Sequence, residues 1–203
     1  MSIARLFPTL VVTGRLRASV AGPLNAALLR EVRQLRRDDA AGRAWSTANY
    51  PGGYTSYGSA CRLHRASPTF ARLQGLLARH VRAYARALRL DLGGRRLEMT
   101  DCWVNVMPRG VAHGLHLHPT STISGTYYVQ APALSPGLKL EDPRLDRFMA
   151  SPPRRGRGAA GTWVTVPARA GAFVLFESWL RHEVPVYRGR GERVSISFNY
   201  GWF

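Results

Sequence analysis

The pattern of apolar residues changes near residue 96, and this change limits the folds open to the chain. Before it, apolar residues recur at helical spacing; after it, short strand-like segments are separated by Gly and Pro. These segments lie at 96–110, 114–120, 123–132, 138–144, 162–168, 171–178 and 193–203. Short strands at this spacing indicate a sandwich, jelly roll or small barrel. We therefore expect a mainly β protein with flanking helices (α+β) that pack outside the sheets.

A length of 203 residues predicts one domain that buries a sizeable core without disulfides. No internal repeat or break in composition divides the chain. We expect a single domain over 1–203, in which 1–95 forms helical support and 96–203 forms the β core.

The N-terminal part is predicted to hold a strand or two followed by two helices. Residues 5–20 alternate loosely, as strands do, and Gly22-Pro23 is expected to open the first helix. Ser67 is a plausible N-cap of the second helix, with Pro68 at its first position. Gly93-Gly94 is expected to end it.

Two segments are predicted to be loops near a binding site. Residues 45–60 are rich in Gly, Ser, Tyr and Asn, and residues 150–161 form a basic stretch with Pro and Gly. Long loops in compact domains are often functional. The segments 45–60 and 144–161 are therefore expected to act as lids that shape the choice of substrate.

The charge balance is strongly basic. The chain has 29 Lys plus Arg against 12 Asp plus Glu, a formal net charge of +17, and Lys139 is its only lysine. Clustered arginine can bind nucleic acid or an anionic membrane surface. Phosphate-binding surfaces normally use lysine as well, so the near-absence of lysine favours an arginine-rich coding bias with solvated basic faces.

The sequence predicts a cytoplasmic protein. Cys61 and Cys102 are too few and too far apart in sequence for a disulfide framework. The first residues lack the pattern of a secretory signal, and no apolar run approaches the roughly 20 residues of a membrane helix. We therefore expect reduced thiols and no membrane partner.

Three histidines lie close together in the segment His113-Gly-Leu-His116-Leu-His118. On a strand, His116 and His118 would share one face, with the intervening leucines on an opposite, apolar side. His182 follows a later strand. One HxH pair and one distant histidine predict a three-point metal site with open positions, which suits iron, oxygen and a chelating cosubstrate.

Arg193 and Ser195 form a second fragment, eleven and thirteen residues after His182. They share a strand face, and Val194, Ile196 and Phe198 define the opposite, apolar face. A guanidinium fork beside a hydroxyl is a good receptor for a carboxylate.

The combination of segments resembles a family of 2-oxoglutarate (2OG) and Fe(II)-dependent oxygenases. HLHPTSTISGTYYV, GAFVLFESWLRHEVP and RVSISFN are similar to its motifs, and the resemblance is strong over 99–203. It implies a double-stranded β-helix (jelly roll) core. It also implies an enzyme that uses Fe(II), O2 and 2-oxoglutarate, whose oxidative decarboxylation drives hydroxylation of a bound substrate.

Residue by residue, the resemblance assigns His116 and His182 as metal ligands and puts His118 at the position of the family's carboxylate ligand. Arg193 matches the residue that holds the distal carboxylate of 2-oxoglutarate, and Ser195 assists it. Three neutral ligands would leave the site one charge unit more positive than the usual set.

The nearby acidic residues Asp101, Glu177 and Glu183 do not have the spacing of a ligand. Glu183 adjoins His182 and is a candidate for orienting it. For His113, a role in a loop or beside the ligands is favoured over direct ligation.

Other candidates lie on the neighbouring strands. Trp103 and Asn105 share a face, and Asn105 is a candidate for the carboxylate end of the cosubstrate. Tyr127 or Tyr128 is expected to add a hydroxyl contact, with Tyr127 preferred. Trp179 is expected to be a packing residue beside the His182 turn.

Two rival functions stay open. The cupins have a similar fold, and the spacing from Gly110 through His118 to Gly125 nearly matches their first motif, but its Glu is absent and Arg193-x-Ser195 is unexplained. The second rival is a catalytically silent basic jelly roll that binds nucleic acid or another polyanion. The substrate is open to small molecules, peptides and nucleic acid, and the sequence does not fix the oligomeric state, a homodimer being one option.

Overall fold

The helices of the chain lie in its N-terminal part. The computed structural model describes residues 1–4, 6–145, 149 and 161–203, so nearly all of the predicted basic loop at 150–161 lies outside the described residues. Within these ranges the helices are α1 (Ala18–Asp38), α2 (Ala40–Asn49), α3 (Leu63–Ala66) and α4 (Pro68–Ala87). None of these described helices is both long and apolar enough to cross a membrane.

The strands of the described residues form two antiparallel sheets. They are β1 (Val11–Arg15), β2 (Tyr54–Thr55), β3 (Leu97–Met107), β4 (His113–His116), β5 (Ile123–Gln130), β6 (Leu138–Glu141), β7 (Trp163–Val166), β8 (Ala172–Glu177), β9 (His182–Val184) and β10 (Arg193–Trp202). The larger sheet has the order β1-β8-β5-β10-β3-β2, and the smaller has the order β4-β9-β6-β7.

The larger sheet is covered on one face by the helices. The apolar stripes of α1 and α4, exemplified by Leu28 and Leu77, pack against Val104 and Ile196 of the sheet, and all four are fully buried. The predicted cap of α4 is confirmed, because the Ser67 hydroxyl accepts hydrogen bonds from the first backbone N–H groups of the helix.

The other face of the larger sheet packs toward the smaller sheet. Tyr128 and Val174 from the larger sheet share a buried cluster with Leu140 and Val184 from the smaller one. Two antiparallel sheets around a common apolar layer form the jelly roll that the sequence predicted, and the mainly β class with flanking helices is confirmed.

Several predicted boundaries were wrong. Helix α1 begins at Ala18 rather than after Gly22-Pro23, and Pro23 lies within its second turn. Helix α4 ends at Ala87, well before Gly93-Gly94. The segment 45–60 contains the end of α2 and the short strand β2.

Helix α2 escaped prediction because its buried face is not a stripe of large apolar residues. Its buried residues are Gly42 and Ser46, and the Ser46 hydroxyl donates to the Gly42 carbonyl. Helix periodicity is read from large apolar side chains, so a helix that buries small residues gives little signal.

The N-terminal part also contributes strands to the larger sheet. Strand β1 pairs with β8, and β2 pairs with β3. The backbone N–H of Cys102 donates to the Cys61 carbonyl, so the two cysteines are neighbours despite their separation in sequence, and both thiols are free.

Candidate metal centre

Three histidines converge between the two sheets. His116 is the last residue of β4 and pairs directly with His182, the first residue of β9. With His118 they form a group whose ligand nitrogens all lie within 4.8 Å of one another, the only such group of metal-ligating residues in the described part of the chain. The structure therefore brings together the three residues that the sequence proposed as ligands.

His116 and His118 lie close together as expected, but only His116 belongs to a strand. Strand β4 ends at His116, and His118 lies beyond it, anchored by its backbone N–H to the Ser178 carbonyl. The opposite side is not apolar interior, because Leu115 and Leu117 are 37% and 41% exposed. The His118 ring nevertheless lies near its neighbour, with 5.2 Å between the His116 and His118 ring centres.

Backbone carbonyls orient two of the imidazoles. His116 Nδ1 lies 2.7 Å from the Gly114 carbonyl oxygen, and His182 Nδ1 lies 2.8 Å from that of Leu180. A carbonyl only accepts, so Nδ1 carries the proton in both rings and Nε2 presents a lone pair. His182 Nε2 lies 3.2 Å from His118 Nε2, so the two nitrogens face one point.

Burial keeps these rings in the neutral form that binds metals. It lowers the pKa of His182 to about 3 and that of His118 to about 4, and the neighbouring histidines add to the effect. Burial also lowers the pKa of His116. All three imidazoles are therefore neutral at pH 7 and offer nitrogen lone pairs.

A polar network that the sequence analysis missed supports His118. The Asn199 side chain interacts with His118 and acts against the lowering of its pKa. Asn199 Oδ1 accepts from the Ser124 hydroxyl at 2.8 Å, and Ser124 is in turn 2.8 Å from the Ser178 hydroxyl. Asn199 lies an even number of residues from Arg193 and Ser195 on β10, so it shares their face of the strand. This spacing could have identified Asn199 as a site candidate from the sequence.

Arg193 is almost fully buried on the same side of the larger sheet as the histidines. Its Nη1 donates to Ser195 Oγ at 3.2 Å, its Nε donates to the Pro136 carbonyl at 3.2 Å, and the guanidinium lies 5.0 Å from the Tyr128 ring centre. None of the ion pairs found among the described residues includes it. A buried cation without a carboxylate is costly, so the site is suited to an anionic ligand.

Asn105 extends this receptor across the strand pair. It lies opposite Ser195, donates from Nδ2 to Ser197 Oγ at 3.0 Å, and leaves its Oδ1 buried without a partner. Because the Ser197 hydroxyl can either accept or donate a hydrogen bond, the Asn105 side-chain amide can bond to it through Nδ2 or through Oδ1. The other of these two atoms then faces the cavity. Trp103 lines the same cavity, as its shared face with Asn105 predicted.

The structure separates the two tyrosine candidates. The Tyr127 hydroxyl donates to Asn25 Oδ1 of α1 at 2.7 Å, so the preferred candidate lies on the helix side of the sheet, away from Arg193. Tyr128 lies beneath the Arg193 guanidinium, and its buried hydroxyl has no partner in hydrogen-bonding geometry. Tyr128 therefore packs against Arg193 without lining the cavity, and the tyrosine that lines it is Tyr50, whose buried hydroxyl also has no hydrogen-bond partner.

The remaining candidates lie around the centre rather than in it. His113 stacks on His116 with 4.5 Å between ring centres, outside the ligand group. Glu183 faces away and pairs with Lys139 at 2.5 Å, so it does not orient His182. Glu177 interacts with Tyr84 of α4. Trp179 is 45% exposed instead of packed beside the turn.

Two connected cavities meet at the histidines. An inner cavity of about 40 Å³ lies between the three ligands and the Arg193–Ser195 pair. An outer cleft of about 400 Å³ opens toward the surface and shares Trp103, His116 and His118 with it, whereas His182 lines only the inner cavity. The arrangement gives a ligand held at Arg193 access to a bound metal ion from inside, and gives a second molecule access from outside.

Comparison with known proteins bears on what this centre does. Residues 101–199, just under half of the chain, match the family described as "Putative 2OG-Fe(II) oxygenase". The matched range contains all three histidines, Arg193 and Ser195. No curated protein is similar to the chain in sequence.

Solved structures share the fold over nearly the whole chain. A Pseudomonas putida prolyl-4-hydroxylase is 18% identical, with 95% of this chain and 92% of that one covered and a TM-score of 0.58. HygX from Streptomyces hygroscopicus, with nickel and 2-oxoglutarate bound, is 16% identical, with 95% and 83% covered and a TM-score of 0.63. The epimerase SnoN, in complex with Fe3+ and alpha ketoglutarate, is 17% identical, with 94% and 78% covered and a TM-score of 0.61.

Proposed function

We propose that this chain, which carries a 2OG-Fe(II) oxygenase domain over residues 101–199, binds its iron through His116, His118 and His182. Three neutral nitrogen donors that converge on one point fit a divalent iron ion and leave other positions open. Because His118 stands where the resemblance implies a carboxylate, the protein ligands carry no negative charge. The net charge of the centre is then set by the metal and by the anions bound to it.

We infer that the distal carboxylate of 2-oxoglutarate lies in the inner cavity, on Arg193 and Ser195. The observation that carries this inference is the buried Arg193 guanidinium, which has no acidic partner among the described residues and shares a cavity with the histidines. Asn105 and Tyr50 each bring an unpartnered buried polar atom to the same cavity. A dicarboxylate would satisfy groups that the protein leaves unpaired.

Iron and 2-oxoglutarate, once bound, supply the oxidising power to hydroxylate a substrate with O2. The chain's own residues do the positioning. Gly114 and Leu180 carbonyls fix the rings of His116 and His182, and Arg193 sets the orientation of the cosubstrate.

The substrate is proposed to be a small molecule or a peptide that enters through the outer cleft. The similar structures include a prolyl-4-hydroxylase and a HygX complex with hygromycin B bound. Of the two predicted lid segments, 45–60 contributes Tyr50 and Tyr57 to the cleft. Most of 144–161 lies outside the described residues.

We further propose that residues 1–203 act as one domain in the cytoplasm. The helices of 1–95 and the sheet of 96–203 share a single apolar cluster. The two free thiols suit a reducing compartment.

Conversion of 2-oxoglutarate to succinate tests the proposed function. The purified chain with Fe(II), O2 and 2-oxoglutarate should form succinate slowly even without a substrate, and His116→Ala and Arg193→Ala should abolish this turnover. Metal binding without affinity for 2-oxoglutarate would favour a cupin-like protein. Absence of metal binding, together with tight, salt-sensitive binding to nucleic acid, would favour the polyanion-binding module.

A further inference from the structure

We propose that the outer cleft binds a cationic group of the substrate, a guanidinium or an ammonium, between aromatic rings and the Asp101 carboxylate. This inference rests on the proposed function of the metal centre, since it names the substrate class of that site. The cleft holds about 400 Å³, enough for an arginine- or lysine-sized side chain or a small amine.

Aromatic rings form a continuous wall from the surface to the metal centre. Trp45 of α2 contacts Tyr57 with 6.0 Å between ring centres, and Tyr57 contacts Trp103 at 5.1 Å, both in edge-to-face geometry. Trp103 in turn lies 5.7 Å from the His118 ring. Tyr57 is 50% exposed, so the outer end of the wall is accessible. The electron-rich faces of Trp and Tyr attract cations.

The Asp101 carboxylate supplies the negative charge. Asp101 lines the cleft together with Trp103, which lies two residues further along the same face of β3. Its Oδ2 accepts from the Thr100 hydroxyl at 2.7 Å, and none of the ion pairs among the described residues includes it. A half-buried carboxylate that forms no ion pair with an arginine is unusual in a chain with a net charge of +17.

Asp101 also sets the charge of the cleft. Of the described residues that line it, Asp101 is the only acidic or basic one apart from His113, His116 and His118. Arg193 belongs to the inner cavity, where it faces the cosubstrate. The outer cleft is therefore negative within a basic molecule, and electrostatics there select for a cation.

Calorimetric titration of the whole, metal-free chain with matched probes tests the proposal. Nα-acetyl-arginine methylamide is compared with its neutral isostere Nα-acetyl-citrulline methylamide, and the corresponding lysine compound with its Nε-acetyl form. We expect one cationic probe of the two to bind at least about tenfold more tightly than its neutral partner. The preferred pair distinguishes a guanidinium substrate from an ammonium one.

Variants assign the preference to the cleft. Asp101→Asn should abolish the preference for the cation, while Glu98→Gln should keep it, because Glu98 loses the same charge on the same strand but pairs with Arg96 at the surface. Tyr57→Leu should weaken binding of the cation, and Tyr57→Phe, which retains the ring, should restore it.

Equal binding of charged and neutral probes, no binding of either, or an Asp101→Asn variant that keeps the preference would each overturn the proposal. Failure of the metal-centre assignment gives a different result. It would appear as absence of 2-oxoglutarate binding by the nickel-loaded chain, whatever the probes do in the metal-free protein.

Discussion

His118 is the residue at which the centre departs most from a site with a carboxylate ligand. Its ring is half-buried, and its Nε2 faces that of His182 at 3.2 Å. We expect His118→Ala to weaken Fe(II) binding by at least about tenfold, the scale of disturbing a metal's coordination. His118→Asp should retain binding, since the shorter side chain still offers an oxygen ligand. Competition with a chelator of known affinity measures both.

His80→Ala is the matched control for loss of an imidazole. His80 lies on α4 against Phe173, with 4.6 Å between ring centres, outside the metal centre. The His80→Ala substitution should leave the affinity for Fe(II) unchanged. A His118→Ala protein with the wild-type affinity for iron would show that His116 and His182 bind the metal without it.

Arg193 makes a separate prediction about the cosubstrate. Arg193→Lys keeps the positive charge but loses the fork that donates to both Ser195 and a carboxylate. We expect 2-oxoglutarate affinity of the nickel-loaded protein to fall about 10- to 100-fold, the worth of one or two charge-assisted hydrogen bonds. Calorimetry measures the change. Arg86→Ala, on the exposed side of α4, should have no effect.

At the scale of elements, Asp39 ties α2 to strand β2 and to the loop that follows it. Its carboxylate accepts hydrogen bonds from the Gly42 N–H and from the Tyr54 hydroxyl, both at 2.8 Å, and from Ser59. We expect Asp39→Ala to lower the free energy of unfolding by about 2 kcal/mol, because it removes a helix cap and leaves the buried Tyr54 hydroxyl unpaired. Chemical denaturation of variant and wild type measures the difference.

The same residue predicts a pH dependence. Burial raises the pKa of Asp39, but the hydrogen bonds from Ser59, Gly42 and Tyr54 and the charge of Arg43 outweigh it, so its pKa lies below the ordinary value. The carboxylate therefore stabilises the fold above the unfolded pKa of about 4, and this contribution is lost as the pH falls through the folded pKa. The deficit of Asp39→Ala should shrink in acid. Asp38→Ala, a surface neighbour bonded to Gln34, should show almost no deficit at any pH.

Elements with large, regularly spaced apolar residues could be predicted from the sequence, and the others could not. The apolar stripe of α4 and its Ser67 cap predicted that helix, and the alternation of apolar and polar residues in RVSISFN predicted β10. Helix α2 buries small residues, and β9 is three residues long, so neither has a periodicity to detect. Strand parity correctly grouped Arg193 with Ser195, but it could not show which of Tyr127 and Tyr128 lies on the Arg193 side of the sheet, because both sides of β5 are buried.

At the scale of the whole molecule, the chain with a net charge of +17 carries two kinds of arginine: exposed ones on its surface and the buried Arg193 at the proposed cosubstrate site. Arg33 and Arg37 are exposed on α1, and with Arg36 and Arg43 they border a surface hollow of about 490 Å³. Arg36 is already paired with Glu192 at 2.7 Å. This surface is far more open than the buried setting of Arg193.

We expect the double variant Arg33→Gln/Arg37→Gln to keep wild-type conversion of 2-oxoglutarate to succinate. Any binding of a short oligonucleotide should be weak, should fall further in the variant and should disappear as salt rises, as counterion release requires. Fluorescence anisotropy at several salt concentrations measures it. Tight binding that persists at moderate salt and depends on these two arginines would favour a polyanion-binding function over the oxygenase.

The central claim is that one iron ion, held by three histidines, and Arg193 together hold one molecule of 2-oxoglutarate. An anaerobic titration of the Fe(II)-loaded chain with 2-oxoglutarate tests it most directly, followed by the charge-transfer absorption of a 2-oxoacid chelated to Fe(II). We predict saturation at one equivalent, with the absorption lost in His182→Ala because iron is lost, and shifted to much higher 2-oxoglutarate concentrations in Arg193→Lys. Wild-type saturation in His182→Ala, or no absorption in the wild-type protein with iron bound, would contradict the account.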